Sequence, residues 1–135
     1  MALNTKISDA TANASADAAC ALANSGKLRI YSGAQPVDAN TAIGAQVLLA
    51  ELVMDSTAFG AASAGVATAN TITGEDDAPA TGVASWFRMF KSDGTTALWD
   101  GSVGTSGCDL NLPTTSIAEH DTVDVTGYVY GQPEA

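Results

Sequence analysis

Basic residues are scarce in this sequence. Its 135 residues include five Lys and Arg against fifteen Asp and Glu, which gives a formal net charge of −10. A protein that binds a phosphate backbone needs clustered cations to displace counterions, and so does one that binds an anionic membrane surface. The cations are instead scattered: Lys6, Lys27, Arg29, Arg88 and Lys91. We therefore expect no nucleic acid and no membrane among the partners.

Residues that carry catalysis or hold metals are also few. His120 is the single histidine, in a polar turn, and no Gly-x-Ser-x-Gly motif occurs, so a serine-hydrolase relay is not indicated. One histidine and two distant cysteines cannot form a tetrahedral zinc site within the chain. Cys20 and Cys108 make no disulfide framework and are expected to be free or buried thiols. The sequence predicts no catalytic residues, no cofactor and no metal.

Three further motifs are interpreted as structural. The acidic run 75–77 offers carboxylates for calcium but lacks a spaced ligand loop, so a solvated turn is favoured. Asp93 and Asp100 could be glycosidase carboxylates, but nothing in the sequence places them in a common cleft. The glycine-spaced segment 101–107 lacks the Lys and the helix of a phosphate loop, and is predicted to connect two strands.

Large aliphatic residues are scarce as well. Leu, Ile, Val and Phe together number 26, the same as alanine alone, so the core is expected to be thin. The longest run of larger apolar residues, Val47 to Met54, contains Glu51 and is far too short to span a membrane. The first 26 residues lack the pattern of a signal peptide. A thin core suggests that a partner or an oligomer supplies part of the stability.

Two elements can nevertheless be located with local signals. Asp93-Gly94 lies between two apolar runs and predicts a β-hairpin with strands at about 83–91 and 95–100. An alanine-rich segment at 8–24 predicts a helix capped by Ser8 at its start and by Gly26 at its end. Such a helix buries little. It either packs weakly on the rest of the chain or packs on a neighbouring subunit. The alternative is that the helix is merely solvated.

The remaining pattern is that of short strands separated by turns. They are predicted at 27–31, 47–54, 65–73, 109–112 and 122–130. In the last of these, Val123, Val125 and Val129 are expected on one face, with Asp124, Thr126, Tyr128 and Tyr130 on the other. The fold class predicted is mainly β: an antiparallel β-sandwich or small jelly roll at 27–135, preceded by an N-terminal arm or helix at 1–26.

Several segments of this chain resemble small structural proteins encoded by tailed bacteriophages and prophages. They are LRIYSGAQP (28–36), LLAEL (48–52), AFGAA (58–62), GVATAN (65–70), ASWFR (84–88), KSDGTT (91–96), GSVG (101–104) and DLNL (109–112). The resemblance covers about residues 27–130 and consists of turns and alternating strands. It implies a component of the virion and brings no catalytic residues. Where such chains have a glycine turn before the last strand, this one has Glu119-His120-Asp121.

The function expected is therefore that of a capsid decoration, or cement, protein. It would bind the major capsid protein or other virion proteins on the outside of the head, as a homo-oligomer with a trimer favoured. It would be made in the host cytoplasm and act in the virion. The residues predicted at its interfaces are Val47, Leu49, Val53, Trp99, Tyr128 and Tyr130.

Three alternatives remain open at the level of sequence. The first is a tail, neck or fibre-associated structural protein. The second is a host-glycan-binding module, in which Trp86, Trp99, Tyr128 and Tyr130 would form a platform for sugars, although aromatics at strand spacing are more often core or interface residues. The third, a hydrolase depending on His120, has the least support.

Overall fold

The computed structural model describes residues 4–125 and 127–131. These described residues form one helix and ten strands, and the fold is mainly β and sandwich-like, as predicted. The elements are α1 (Asp9–Ala21), β1 (Lys27–Tyr31), β2 (Leu48–Met54), β3 (Val66–Thr68), β4 (Ile72–Thr73), β5 (Gly82–Val83), β6 (Trp86–Phe90), β7 (Ala97–Gly104), β8 (Leu110–Asn111), β9 (Ser116–Ile117) and β10 (Val129–Gly131). Thr126, residues 132–135 of the predicted sandwich domain and residues 1–3 of the predicted arm lie outside the described residues.

The main sheet has six strands in the order β4-β2-β1-β6-β7-β8. Alternation along β1 places Leu28 and Ile30 on one face, as predicted, and both are fully buried. Leu28 lies opposite Leu52 and Met89, while Ile30 lies opposite Phe87. These side chains form the centre of the core. β2 lies between β4 and β1, and its buried residues are Leu49, Ala50, Leu52 and Met54.

A second layer covers this face of the sheet. It contains two short ribbons, β10–β3 and β5–β9, and the segment that leads from β9 to β10. The buried residues of this layer and of the neighbouring loops belong to the same hydrophobic core as the main sheet. They are Phe59, Ala67, Ala78, Leu112, Ile117, Val123, Val125 and Tyr128. The thin composition thus yields a continuous core, because small residues such as Ala67 and Ala78 let the two layers approach closely.

The opposite face of the main sheet is also covered, by the loop 32–47. Trp86, which is fully buried, donates from Nε1 to the carbonyl oxygen of Ser32 at 3.3 Å. Arg88 donates to the carbonyl oxygen of Asp38 at 3.2 Å. Tyr31 stacks on Trp86 with ring centroids 4.7 Å apart. Every residue of β6 is therefore buried, whichever face it is on.

The predicted hairpin is confirmed, with strands Trp86–Phe90 and Ala97–Gly104. Its turn uses Gly94 at φ +71°, a left-handed conformation that favours glycine. The carboxylate of Asp93 accepts from the backbone N–H groups of Thr95 and Thr96 at 2.8 and 2.9 Å. Local sequence chemistry therefore favours this turn, and Arg29 of β1 donates a further hydrogen bond to the carbonyl oxygen of Gly94 at 2.9 Å.

The helix is shorter than predicted and ends differently. Ser8 caps its start, accepting from the Thr11 N–H at 3.2 Å, as expected. At the other end Leu22 is the cap and Ser25 has the left-handed backbone at φ 55°, so the prediction that Gly26 caps the helix was wrong. Glycine is required at position 26 for space, because a Cβ there would collide with the carbonyl oxygens of Phe90 and Ala23.

The predicted strand at 122–130 is not one strand. Among its described residues, Val123 forms an isolated β-bridge with Glu75, and Val129 and Tyr130 belong to strand β10. Val123 and Val125 are buried as expected, but Val129 is half exposed and Tyr128 is buried, the reverse of the predicted faces. The alternation of buried positions therefore does not continue from Val125 to Val129. Thr126, predicted on the Tyr128 face, lies outside the described residues.

Three other predicted boundaries need correction. The strand at 65–73 is divided into β3 and β4. The segment 101–107 is not all loop, because β7 continues to Gly104. The strand at 109–112 is reduced to β8, and it pairs with β7 in parallel, so the sandwich is not wholly antiparallel. The short loop between them folds back so that Leu110 lies opposite Val103, with Gly107 at φ +67°.

Candidate functional site

The His120 turn is exposed and well bonded. His120 Nδ1 lies 2.5 Å from an Asp77 carboxylate oxygen, and the His120 N–H donates to the carbonyl oxygen of Ala78 at 2.8 Å. His120 has φ 74°, the conformation that a glycine would adopt with least strain. The turn 119–121 therefore contains a left-handed residue that is not glycine.

The acidic candidates have structural partners. Within the run 75–77, Glu75 accepts from the N–H groups of Glu51 and Asp77 at 3.1 and 3.2 Å. Hydrogen bonds from the hydroxyl and backbone N–H of Thr96 hold the pKa of Asp93 well below its usual value. Asp100 is paired with Arg88. Within 4–125 and 127–131, no group of three or more His, Cys, Asp or Glu residues is placed to hold a metal ion.

The two thiols are free and differ in exposure. Cys20 lies on α1 at 3% exposure, within the core, and Cys108 is half-buried in the loop before β8. Burial, with a smaller contribution from the charge of Asp17, raises the pKa of Cys20 to about 11. A thiol with so high a pKa is a poor nucleophile at neutral pH.

Charged side chains form a row across four strands on the face covered by loop 32–47. Glu51 of β2 lies opposite Arg29 of β1, which lies opposite Arg88 of β6, which lies opposite Asp100 of β7. Arg29 contacts Glu51 at 2.7 Å at the partly exposed end. Arg88 binds both carboxylate oxygens of Asp100 at 2.6 and 2.9 Å at the buried end. The row contains two ion pairs and explains the position of two of the five cations.

The predicted interface residues are separated by the fold. Leu49 is fully buried and Tyr128 is 5% exposed, so both belong to the core of the monomer. Val47 is 45% exposed, just before β2. Val53, Trp99 and Tyr130 are half-buried. Of the six, Val47 is thus the one with substantial free surface.

The predicted sugar platform is also divided. Trp86 is fully buried on the covered face of the sheet, away from the other three aromatics, so a four-residue platform is wrong. Trp99 and Tyr130 lie together, with ring centroids 4.5 Å apart and planes tilted by 44°. Tyr128 lies beneath them and accepts from Trp99 Nε1 at 2.9 Å. Burial raises the pKa of Tyr128 well above its usual value.

An open cleft of about 180 Å³ borders these rings. Its lining includes Trp99, Tyr130, Asp109 and Gly131. Asp109 is held in place by Ser102: its Oδ2 accepts from the Ser102 N–H at 2.9 Å and from the Ser102 hydroxyl at 3.1 Å. Sequence analysis missed Asp109, because only the parallel pairing of β8 with β7 brings it beside the aromatic rings.

Apart from Val37 in the loop 32–47, the exposed valines form two pairs in different parts of the surface. On the β3–β10 ribbon, Val66 and Val129 are 41% and 50% exposed on the outer face, while the neighbouring pair Ala67 and Tyr130 is turned inward. We call this surface the valine ribbon, defined by Val66, Thr68 and Val129. Sequence analysis missed it because Val129 was assigned to the inner face.

The second exposed pair is Val47 and Val83. Val83 is 60% exposed on β5. Val47 adjoins Ser32, whose N–H donates to the Val47 carbonyl oxygen at 3.0 Å. Gly82, the residue before Val83, also lies near Ser32, since a Cβ on Gly82 would lie 3.6 Å from the Cβ of Ser32. We call Val47 and Val83 the valine corner.

No helix among the described residues is long and apolar enough to cross a membrane. Comparison of the chain with models of known protein families, with curated proteins and with solved structures finds no match.

Proposed function

We propose that this chain is a non-enzymatic structural protein of a tailed-phage particle, a decoration protein that binds the outside of the head and stabilises it. The resemblance of residues 27–130 to small virion proteins supports a structural role in a tailed-phage particle. The size, net charge of −10 and scattered cations suit a protein that faces away from packaged DNA. The partners in this proposal are the major capsid protein and further copies of the chain.

The observation that carries the proposal is the valine ribbon. Val66 and Val129 are diagonal neighbours on the outer face of a two-stranded ribbon, where Val129 lies opposite Thr68 and Val66 lies opposite Gly131. Burying a valine completely is worth roughly 1.5 to 3 kcal/mol, so half-exposed valines leave apolar surface that a partner can cover with a gain in free energy. β-branched residues on a ribbon also give a flat, rigid contact surface that loses little entropy on binding.

The valine corner supports self-association. A closed ring of three identical subunits joins two different surfaces of each subunit, whereas a dimer joins one surface to itself. The valine corner is a second apolar surface, and it is formed by different elements from the valine ribbon. In such a trimer the valine corner would contact a different surface of the neighbouring copy, which leaves the valine ribbon free to contact the shell.

The mechanism of stabilisation would be linkage. A protein that binds the assembled shell and not the separated subunits shifts the equilibrium toward the shell by mass action. At free concentrations of 100 times the dissociation constant, each site contributes about 2.7 kcal/mol. Many sites on one head would therefore add a large resistance to internal pressure without any chemical step.

The test uses purified protein and heads that lack it. We expect the wild-type chain to sediment with the heads and to raise the temperature at which they release DNA. Val66→Thr with Val129→Thr keeps the side-chain shape but removes the apolar surface, and we expect at least tenfold weaker binding. Val37→Thr is the matched control, since Val37 is 90% exposed in the loop 32–47. The proposal would be overturned if the wild-type chain did not sediment with the heads and did not raise the temperature of DNA release.

The alternative of a tail, neck or fibre protein makes a different prediction. A decoration protein is present in hundreds of copies per particle, whereas a neck or tail component is present in a few or a few tens. Quantifying this chain against the major capsid protein in purified particles separates the two. A low ratio would reject decoration in favour of the alternative.

A further inference from the structure

We propose that the cleft beside Trp99 and Tyr130 binds a single neutral sugar ring, with the aromatic rings as its wall and Asp109 as its hydroxyl acceptor. This inference concerns small-molecule binding and does not depend on attachment to a particle. It rests on three features of the described residues: the arrangement of the rings, the state of the Asp109 carboxylate and the size of the cleft.

The rings form a broad wall and not an enclosure. The centroids of Trp99 and Tyr130 are 4.5 Å apart, so the two rings contact each other and nothing fits between them. The apolar C–H face of a pyranose is a flat surface that packs on one such wall. A quaternary ammonium ion gains most when aromatic faces surround it on several sides, which this arrangement does not provide.

The wall is firmly held from below. Trp99 donates to the Tyr128 hydroxyl at 2.9 Å. Phe59 lies under both rings, with its centroid 6.3 Å from that of Trp99 and 6.4 Å from that of Tyr130. Because the rings are supported by core residues, a ligand would meet a preformed surface and would not have to order it.

Asp109 supplies the polar contact. Its Oδ2 accepts both hydrogen bonds from Ser102, and its own N–H donates to the Ser102 hydroxyl at 3.1 Å. No partner among the described residues contacts its Oδ1, so a fixed, charged acceptor is left for a ligand hydroxyl. A carboxylate of this kind binds hydroxyl donors strongly and repels anions.

Size and charge narrow the ligand further. The cleft, at about 180 Å³, is smaller than the roughly 300 Å³ at which sites for larger ligands begin, so it suits one ring at the end of a glycan. The Asp109 carboxylate and the net charge of −10 disfavour uronic and sialic acids. The ligand class is therefore a neutral terminal hexose or N-acetylhexosamine.

The two tryptophans give a built-in test by nuclear magnetic resonance. The Trp99 indole N–H lies at the cleft, whereas the Trp86 indole N–H donates to Ser32 on the other face of the sheet. The probes are the methyl glycosides of glucose, galactose and mannose, with N-acetylglucosamine, each titrated into the millimolar range. We expect at least one to shift the Trp99 resonance saturably and to leave the Trp86 resonance unchanged. No saturable shift with any probe, or equal shifts of both resonances, would overturn the inference.

Matched variants and probes locate the contact. Asp109→Asn should weaken binding about tenfold or more, because it removes the charged acceptor. Asp76→Asn is the control, since Asp76 is an exposed carboxylate that makes no hydrogen bond in the described structure, and it should bind as the wild type does. An unchanged Trp86 resonance shows that each variant is folded. Equal affinity of Asp109→Asn and the wild type, or tighter binding of glucuronic acid or tetramethylammonium than of every neutral sugar, would reject the assignment.

Discussion

Among the described residues, the most buried ion pair is that between Arg88 and Asp100, so it is costly to break. Their side chains are 4% and 5% exposed, and two hydrogen bonds join them. Asp100→Ala leaves a buried guanidinium without its carboxylate, and we expect a loss of about 3 to 5 kcal/mol in the free energy of unfolding. Chemical denaturation measures this loss. At the exposed end of the same row, Glu51→Ala should cost less than about 1 kcal/mol. Equal losses at the two ends would contradict the argument.

The Cys20 thiol makes stability depend on alkaline pH. Its pKa rises from 9.0 in the unfolded chain to about 11 in the folded protein. Between these values the unfolded chain releases the proton and the folded protein keeps it, so the free energy of unfolding falls as pH rises. This contribution is complete below pH 9 and is lost as pH approaches 11.

The measurement compares the wild type with Cys20→Ala across that range. All other titratable groups are the same in the two chains, so the difference in unfolding free energy between the wild type and the variant isolates the thiol. We expect the variant to be the less stable at pH 7, because it leaves a small cavity, and the gap to narrow by roughly 2 kcal/mol toward pH 11. A gap that stays constant would show that the thiol is not protected by burial.

At the scale of elements, the absence of a side chain at Gly101 of β7 leaves room for the ring of Phe87 on the paired strand β6. Gly101 lies opposite Phe87, and a Cβ at this position would overlap the Phe87 ring and come within 3.0 Å of the Asp109 Cβ. Gly101→Ala should therefore destabilise the fold by about 1 to 3 kcal/mol through overpacking. Thermal and urea unfolding measure the change. Gly60→Ala, where the nearest atom is the Thr68 carbonyl oxygen at 3.8 Å, is the control and should be neutral or slightly stabilising.

Local elements could be predicted from the sequence where the signal is local. Alternation located β1, and Asp93-Gly94 located the β6–β7 hairpin, because both depend on residues that are close along the chain. The parallel pairing of β8 with β7 could not be predicted, since parallel strands ordinarily need a much longer connection. The reversed faces of Tyr128 and Val129 were missed because the valine alternation continues from Val123 to Val129 in the sequence. The cleft beside Trp99 and Tyr130 depends on both of these features, so only its aromatic residues were identifiable beforehand.

The contacts that α1 makes with the rest of the fold could not be predicted from the sequence. Its composition suggested weak packing or none, yet its polar residues bind the chain that follows β2. Asn13 and Asp17 accept from the N–H groups of Gly65 and Ala62 at 2.8 Å, and Asn24, just beyond the helix, accepts from that of Ala58 at 2.9 Å. These hydrogen bonds satisfy loop N–H groups that would otherwise lack partners in the fold. Polar docking of this kind has no hydrophobic periodicity and leaves no pattern to detect.

At the scale of the whole molecule, charge repulsion opposes folding. Fifteen acidic residues against five basic ones give the compact state an unfavourable self-energy that salt reduces. The pair of Arg88 and Asp100 is buried and screened less than surface charges. We therefore expect the free energy of unfolding to increase when salt is raised from about 0.01 M to 0.15 M, where the Debye length falls from about 30 to 8 Å. A decrease, measured by urea unfolding, would mean that surface ion pairs outweigh the repulsion.

Both α1 and β10 lie against β3, although more than 100 residues separate them in the sequence. In a chain emerging from the ribosome, α1 therefore lies beside a core that stays open until β10 has been made, more than 100 residues later. Contacts between such distant segments slow folding. Nascent chains arrested before Val129 should accordingly expose Phe59 and Ala67 to chaperones, and release of the β10 segment should end that exposure.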